Sequence, residues 1–249
     1  MQLIVKNGKI LANAVTCFLY FASFVALTAC SVEQEKNMDA SNQPTFNDPA
    51  LQRAAEALLA GESERMLAEA SARRDSIDAV DREGSTLLKI ALKRNYEAAV
   101  KALLALKANP DLPHEAAPIG AAVELANIEI VKLLLKAGAN PNGSTNGESA
   151  LWRAAMGNRR EVAEILLQSG AQIDHGDEDG ETPVMAAVQA SHFQLAIFLL
   201  ERGASPSAKS GEGENLAYWA RQSRINPNNE EGQARERLLS MLGAADARQ

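Results

Sequence analysis

The sequence predicts an all-α solenoid of stacked helical pairs, and three observations predict it. Self-similarity recurs along the chain with a period near 33 residues. Alanine, leucine pairs and glycine fall at matching offsets in successive units. Aromatic residues make up only 4 % of the chain, which suits small helices packed closely rather than a sandwich of aromatic-rich strands.

The first element is an address. Residues 1–9 carry Lys6 and Lys9 and no acid, and Ile10 to Ala29 is almost wholly apolar. A basic start, an apolar stretch and small residues at its end predict a secretory signal over 1–29. The run stops at Leu27-Thr28-Ala29-Cys30, which resembles the bacterial lipobox: a leucine, two small residues, then cysteine. The resemblance implies a diacylglycerol on the Cys30 thiol, cleavage before Cys30 and acylation of the new amine. Ser31, where an aspartate would imply retention at the inner membrane, implies sorting to the outer membrane. Two other readings stay open: a membrane-spanning helix of about 20 residues, or an ordinary cleaved signal. Multiple acyl chains anchor stably, because each buried methylene contributes about 0.8 kcal/mol. Cys17 is an apolar filler of the signal, and everything after Cys30 is cysteine-free. Residues 30–49 are polar, with Asn37, Asp39, Asn42 and Asn47, and read as a tether to a folded domain over 50–249.

Taking Thr86, Ala117, Ser149, Thr182 and Asn215 as equivalent helix starts, the steps are 31, 32, 33 and 33 residues. Five residues past each start stands alanine: Ala91, Ala122, Ala154, Ala187 and Ala220. A leucine pair follows at Leu103-Leu104, Leu134-Leu135, Leu166-Leu167 and Leu199-Leu200, preceded by Val100, Val131, Val162 and Leu195. Gly138, Gly170 and Gly203 then suit the left-handed residue that closes a helix. Lys107 stands in that place one unit earlier and predicts a looser turn. Thr86, Ser149 and Thr182 are good N-caps, with Pro118 and Pro183 at first helical positions. The pair over 50–78 fits the pattern weakly, and the last unit carries an insertion, Ile225 to Gly232, before Arg237-Leu238-Leu239.

The Gly180-Glu181-Thr182-Pro183-Val184 and Leu134-Leu135-Lys136-Ala137-Gly138-Ala139 runs resemble the ankyrin repeat. The resemblance covers about 50–245 and implies helix-turn-helix units joined by hairpin loops, about five to six of them counting divergent caps. It departs from the family where a histidine is usual: Lys89, Gly120, Trp152, Met185 and Tyr218 stand there. A charge at Leu166, Leu167 or Ala154 is expected to damage the whole stack, because neighbouring units share one core.

A net charge of −7 argues against a general nucleic-acid binder. Removing 1–29 takes away two lysines and no acid, leaving 23 basic and 32 acidic residues, net −9. His114, His175 and His192 form no metal-spaced motif, and no glycine-rich phosphate loop occurs, so no enzyme activity, metal or cofactor is expected. Asp174 to Glu181 is the most charged stretch. It reads as a solvated hairpin tip, as an acidic finger meeting a basic partner, or as a calcium loop whose full pattern is absent.

The resemblance implies partner binding through hairpin tips and the concave helix face. The candidate residues there are Trp152, Asp177, Glu178, Asp179, Glu181, Met185, Tyr218 and Trp219. Trp152 and Trp219 suit interface anchors, or else fill the space left by the missing histidine. The expected function is a membrane-anchored protein-interaction module of the bacterial cell envelope, held by lipid on Cys30 and facing the periplasm, that binds a protein with a basic surface. The alternatives are an immunity protein neutralising a toxin, or a structural or stress-related adaptor.

Overall fold

Twelve α-helices alternate in two rows along the chain among the described residues, which are 43–111, 117–145, 147–209 and 213–246 of a computed structural model. Thr45–Gln249 form one of two compact units of the chain, and all twelve helices belong to it. The first-helix row comprises α1 (Pro49–Leu59), α3 (Leu87–Lys93), α5 (Pro118–Glu124), α7 (Ala150–Met156), α9 (Pro183–Gln189) and α11 (Leu216–Gln222). The second-helix row comprises α2 (Ser63–Ser71), α4 (Glu97–Ala105), α6 (Ile128–Lys136), α8 (Arg160–Gln168), α10 (Phe193–Glu201) and α12 (Glu230–Asp246). Each helix packs on its partner within the unit, and first helices pack on first helices of the next unit. The architecture is an all-α ankyrin-repeat solenoid.

All five equivalent starts are the residues that precede their helices. Thr86 Oγ1 accepts from Lys89 N at 3.2 Å, and Ser149 Oγ from Trp152 N at 3.1 Å. Thr182 departs from expectation. Its hydroxyl is buried without a partner among the described residues, and α9 opens on Pro183 instead. Asn215 caps α11 through Tyr218 N.

The periodic alanines are fully buried, since a larger side chain would part the first-helix row. The leucine pairs divide. Leu103, Leu134, Leu166 and Leu199 are completely buried, while Leu104, Leu135, Leu167 and Leu200 are only partly covered. Adjacent helical residues point about 100° apart, so one of each pair faces the core and the other its edge.

Every second helix of these four units ends alike. Ala108 N donates to Leu103 O, Ala139 N to Leu134 O, Ala171 N to Leu166 O and Ala204 N to Leu199 O, the closure of a Schellman cap. Gly138, Gly170 and Gly203 take the left-handed residue, and so does Lys107 at φ 72°. The Lys107 turn is therefore not looser, as the sequence suggested, because the 3.0 Å closure over Leu103 holds it. The cost falls on the backbone, so Lys107→Gly is expected to stabilise the fold by about 0.5–1 kcal/mol. A urea midpoint unchanged or lowered in that variant would sink the argument.

Consecutive units are also tied by polar rungs. Asp78 Oδ1 accepts from Asn109 N at 2.8 Å, and both Asp111 carboxylate oxygens lie within 2.9 Å of Asn140 N. Asn142 Oδ1 accepts from Gln172 N at 2.7 Å, and Asp174 Oδ1 from Ser205 N at 3.0 Å. On the second-helix row Arg160 and Arg202 both lie over the ring of the α10 residue Phe198, at 4.7 and 4.6 Å from its centre. Arg202 also pairs with Glu164 of the preceding unit.

Both ends differ from the middle. Phe46 is buried and its N–H donates to Gln52 Oε1, while Asp48 caps α1 through Ala50 N and Leu51 N. The folded unit thus starts before residue 50, and 45–49 belongs to it rather than to a tether. At the other end, the insertion spans less than expected. Asn229 Oδ1 accepts from Gly232 N, so 230–232 already form the first turn of α12. A Cβ at Gly232 would lie 2.2 Å from Asn226 O, which only glycine avoids. Ala234, Leu238 and Leu242, four residues apart, bury the α12 stripe that closes the stack.

Candidate partner-binding face

The hairpins that lead into the first-helix row are held by their own acids. Asp81 Oδ1 accepts from Glu83 N at 2.9 Å and Ser85 N at 2.7 Å, and Asp81 itself is buried. Asp177 does the same for Asp179 N at 3.0 Å and Glu181 N at 2.8 Å. In both hairpins a left-handed glycine, Gly84 or Gly180, donates back to the aspartate carbonyl. Asp81→Ala leaves two N–H groups unpaired and is expected to cost about 2–3 kcal/mol. If thermal unfolding of Asp81→Ala matched that of the parent, the aspartate would not be holding the hairpin. Between these two, the third hairpin is a short antiparallel pair, β1 (Ser144–Thr145) with β2 (Glu148–Ser149).

The candidate residues occupy different situations. Glu178 and Asp179 are exposed at the fourth hairpin tip, with Glu181 half-buried and bonded through Oε1 to Gln189 Nε2. Asp177 is committed to its own turn. The Glu178 side chain lies over Gly147, where an added Cβ would meet its Cγ at 2.5 Å. Tyr218 is 43 % exposed and meets half-buried Trp219 edge to face, with ring centres 5.4 Å apart. Trp152 is only 9 % exposed, with its indole N–H inside, so it packs as a filler of the first-helix row rather than projecting as an anchor. Met185 is fully buried and is not available to a partner. Its position in the row lies between first helices, where a long apolar chain fills the groove. Cys30 and His114 lie outside the described residues.

The centre of the face is an arginine that is not among the candidates read from the sequence. Arg153 on α7 has a side chain only 10 % exposed. Its guanidinium pairs with Glu124 of α5 and with Glu148 of β2 at 2.7 Å, and donates to Thr145 O at 2.7 Å. Burial lowers the guanidinium from its ordinary value, yet arginine stays charged. Burial, then the charge of Asp177, pushes the Glu148 carboxyl above its ordinary value. The signal was in the sequence. Ile90, Ala121, Arg153, Ala186 and Trp219 share one register, and Arg153 is its one charge.

The face therefore carries charges of both signs. Glu178 and Asp179 make one part acidic, Arg153 is neutralised at the centre, and Lys89 and Lys93 on α3 make another part basic. Among the described residues no group of three or more His, Cys, Asp or Glu could share a metal ion. No helix among them is long and apolar enough to cross a membrane.

Stacked helical pairs with capped, hairpin-linked units define an ankyrin-repeat protein fold. Accordingly, the ankyrin-repeat family model, in three copies, matches residues 118–210, which span the third to fifth helical pairs. The chain is also similar to the human transient receptor potential cation channel subfamily A member 1, at 37 % identity over 98 residues. That match covers 37 % of this chain and 9 % of the channel subunit, so the chain corresponds to a small part of its relative.

Proposed function

We propose that this chain is a lipid-anchored protein-interaction module of the bacterial cell envelope, tethered through Cys30, facing the periplasm from the outer membrane, and gripping a protein partner with its hairpin tips and first-helix row. The carrying observation is the division of labour in each repeat. The periodic alanines and the first leucine of each pair are consumed by the core, whereas Glu178 and Asp179 at a hairpin tip and Tyr218 on the first-helix row stand in solvent. Side chains that stability does not use are free to bind. The anchor rests on Leu27-Thr28-Ala29-Cys30 at the end of an apolar run.

Two measurements test the two halves. Full-length protein made in bacteria with labelled palmitate should carry the label and sediment with membranes, and Cys30→Ala should abolish both. Label persisting in Cys30→Ala would remove the anchor. A photo-crosslinker replacing Glu178 should trap one protein in the envelope, and Asp179→Lys should release it. Trapping only from Lys132, on the second-helix row, would move the binding surface to the other side.

A further inference from the structure

Between α3 and α5 the first-helix row opens into a notch of about 230 Å³. Its walls are Val80, Leu92, Ala121 and the stems of Lys89 and Lys93, with Glu124 at the far side. The notch exists because Ala121 is small where the next unit carries Arg153. Pockets that hold whole small molecules run from about 300 to 1,000 Å³. This one has room for a single large side chain. Val80, at 45 % exposed, leaves an apolar rim in solvent.

The charges at the rim are unbalanced. Lys89 and Lys93 are four residues apart on α3 and so share a helix face. Neither has a carboxylate partner among the described residues, whereas Glu124 across the notch is already paired with Arg153. In a chain of net charge −7, this is a local basic spot beside an apolar hole.

We infer that the notch is a docking socket for an acidic–apolar segment of a partner protein: one bulky aliphatic or aromatic side chain fills it, and an Asp or Glu within two residues pairs with Lys89 and Lys93. The assignment rests on the protein-binding reading above and sharpens it, since it names the chemistry of the partner at this part of the row. The same partner meets Glu178 and Asp179 elsewhere with basic residues, so the row reads a segment of split charge. Charge complementarity selects the segment and its direction, and the apolar side chain supplies the burial.

The test is selection of random linear peptides by display on the full chain, followed by binding of the selected peptides to variants. Ala121→Trp fills the notch, and Lys89→Glu with Lys93→Glu inverts the rim without touching the core. The expected peptides pair a large apolar residue with a nearby acid. Each variant should weaken them about tenfold or more, with unchanged circular dichroism. Acidic–apolar peptides that bind both variants as tightly as the parent would overturn the socket. If only basic peptides emerge, and Glu178→Lys with Asp179→Lys abolishes them, the socket falls while the binding face stands. Enrichment of nothing on any face would remove both.

Discussion

Leu166→Asp is expected to unfold the stack as a whole, costing more than about 4 kcal/mol. Leu166 is completely buried on α8, and its carbonyl closes the cap that follows through Ala171 N. A carboxylate there has neither water nor a cation. A stack stabilised by nearest neighbours loses both adjoining interfaces together. Urea unfolding followed by far-ultraviolet dichroism should show most of the signal already lost without denaturant. The neighbouring Leu167→Asp provides the contrast. That side chain is only partly covered, so its cost should be well under half as large. Equal effects of the two would mean that the pair does not divide between core and edge.

Arg153→Leu is expected to cost about 2–3 kcal/mol near neutral pH, because it strands the part-buried Glu148 carboxylate and leaves Thr145 O without its donor, whereas Glu124, at 54 % exposed, keeps its water. Glu148 carries most of the loss, being the less exposed of the two. Adding Glu148→Gln should recover a substantial part. The pH dependence has a definite sign. Burial, with Asp177, already raises Glu148 in the folded protein, and removal of the guanidinium 2.7 Å away is expected to raise it further. A carboxyl whose folded value exceeds its unfolded one holds its proton more tightly when folded. Its penalty is absent below the ordinary value of 4.5 and grows as pH rises through the raised one. The gap between Arg153→Leu and the parent should therefore widen from acid to neutral pH. A gap that stayed constant across that range would mean that Glu148 is not the group left stranded.

Much of this fold was legible because helical repeats write their packing into local residue order. The five helix starts, the buried alanines and the left-handed glycines all follow from short-range rules, and each stands where the spacing of Thr86, Ala117, Ser149, Thr182 and Asn215 put it. Lys107 was harder to read, since a Schellman closure constrains the backbone whatever the side chain. The candidate face was read less well. Side-chain chemistry singled out Trp152 and Met185, but contact with the next unit decides their burial, and that contact is set by residues a full repeat away. Asp177 looked like part of a binding finger, yet its oxygen is spent on two N–H groups inside its own turn. The notch needed two helices in place at once, because it lies between α3 and α5 and is defined by Ala121 being small where the flanking units carry Ile90 and Arg153.

The polar rungs between units bear on how such a chain can change. From each helix start to the residue that donates to the rung, Thr86 to Asn109, Ala117 to Asn140, Ser149 to Gln172 and Thr182 to Ser205, the separation is always 23 residues. From the accepting residue to the next helix start it varies: eight from Asp78, six from Asp111, seven from Asn142 and eight from Asp174. The body of each repeat is thus a fixed gauge, and all the slack in length lies at the hairpin. Residues can be added to or removed from that tip without shifting any other unit out of register. Insertions and deletions can accordingly remodel the recognition edge of this protein one cassette at a time, while the load-carrying stack behind it keeps a single length.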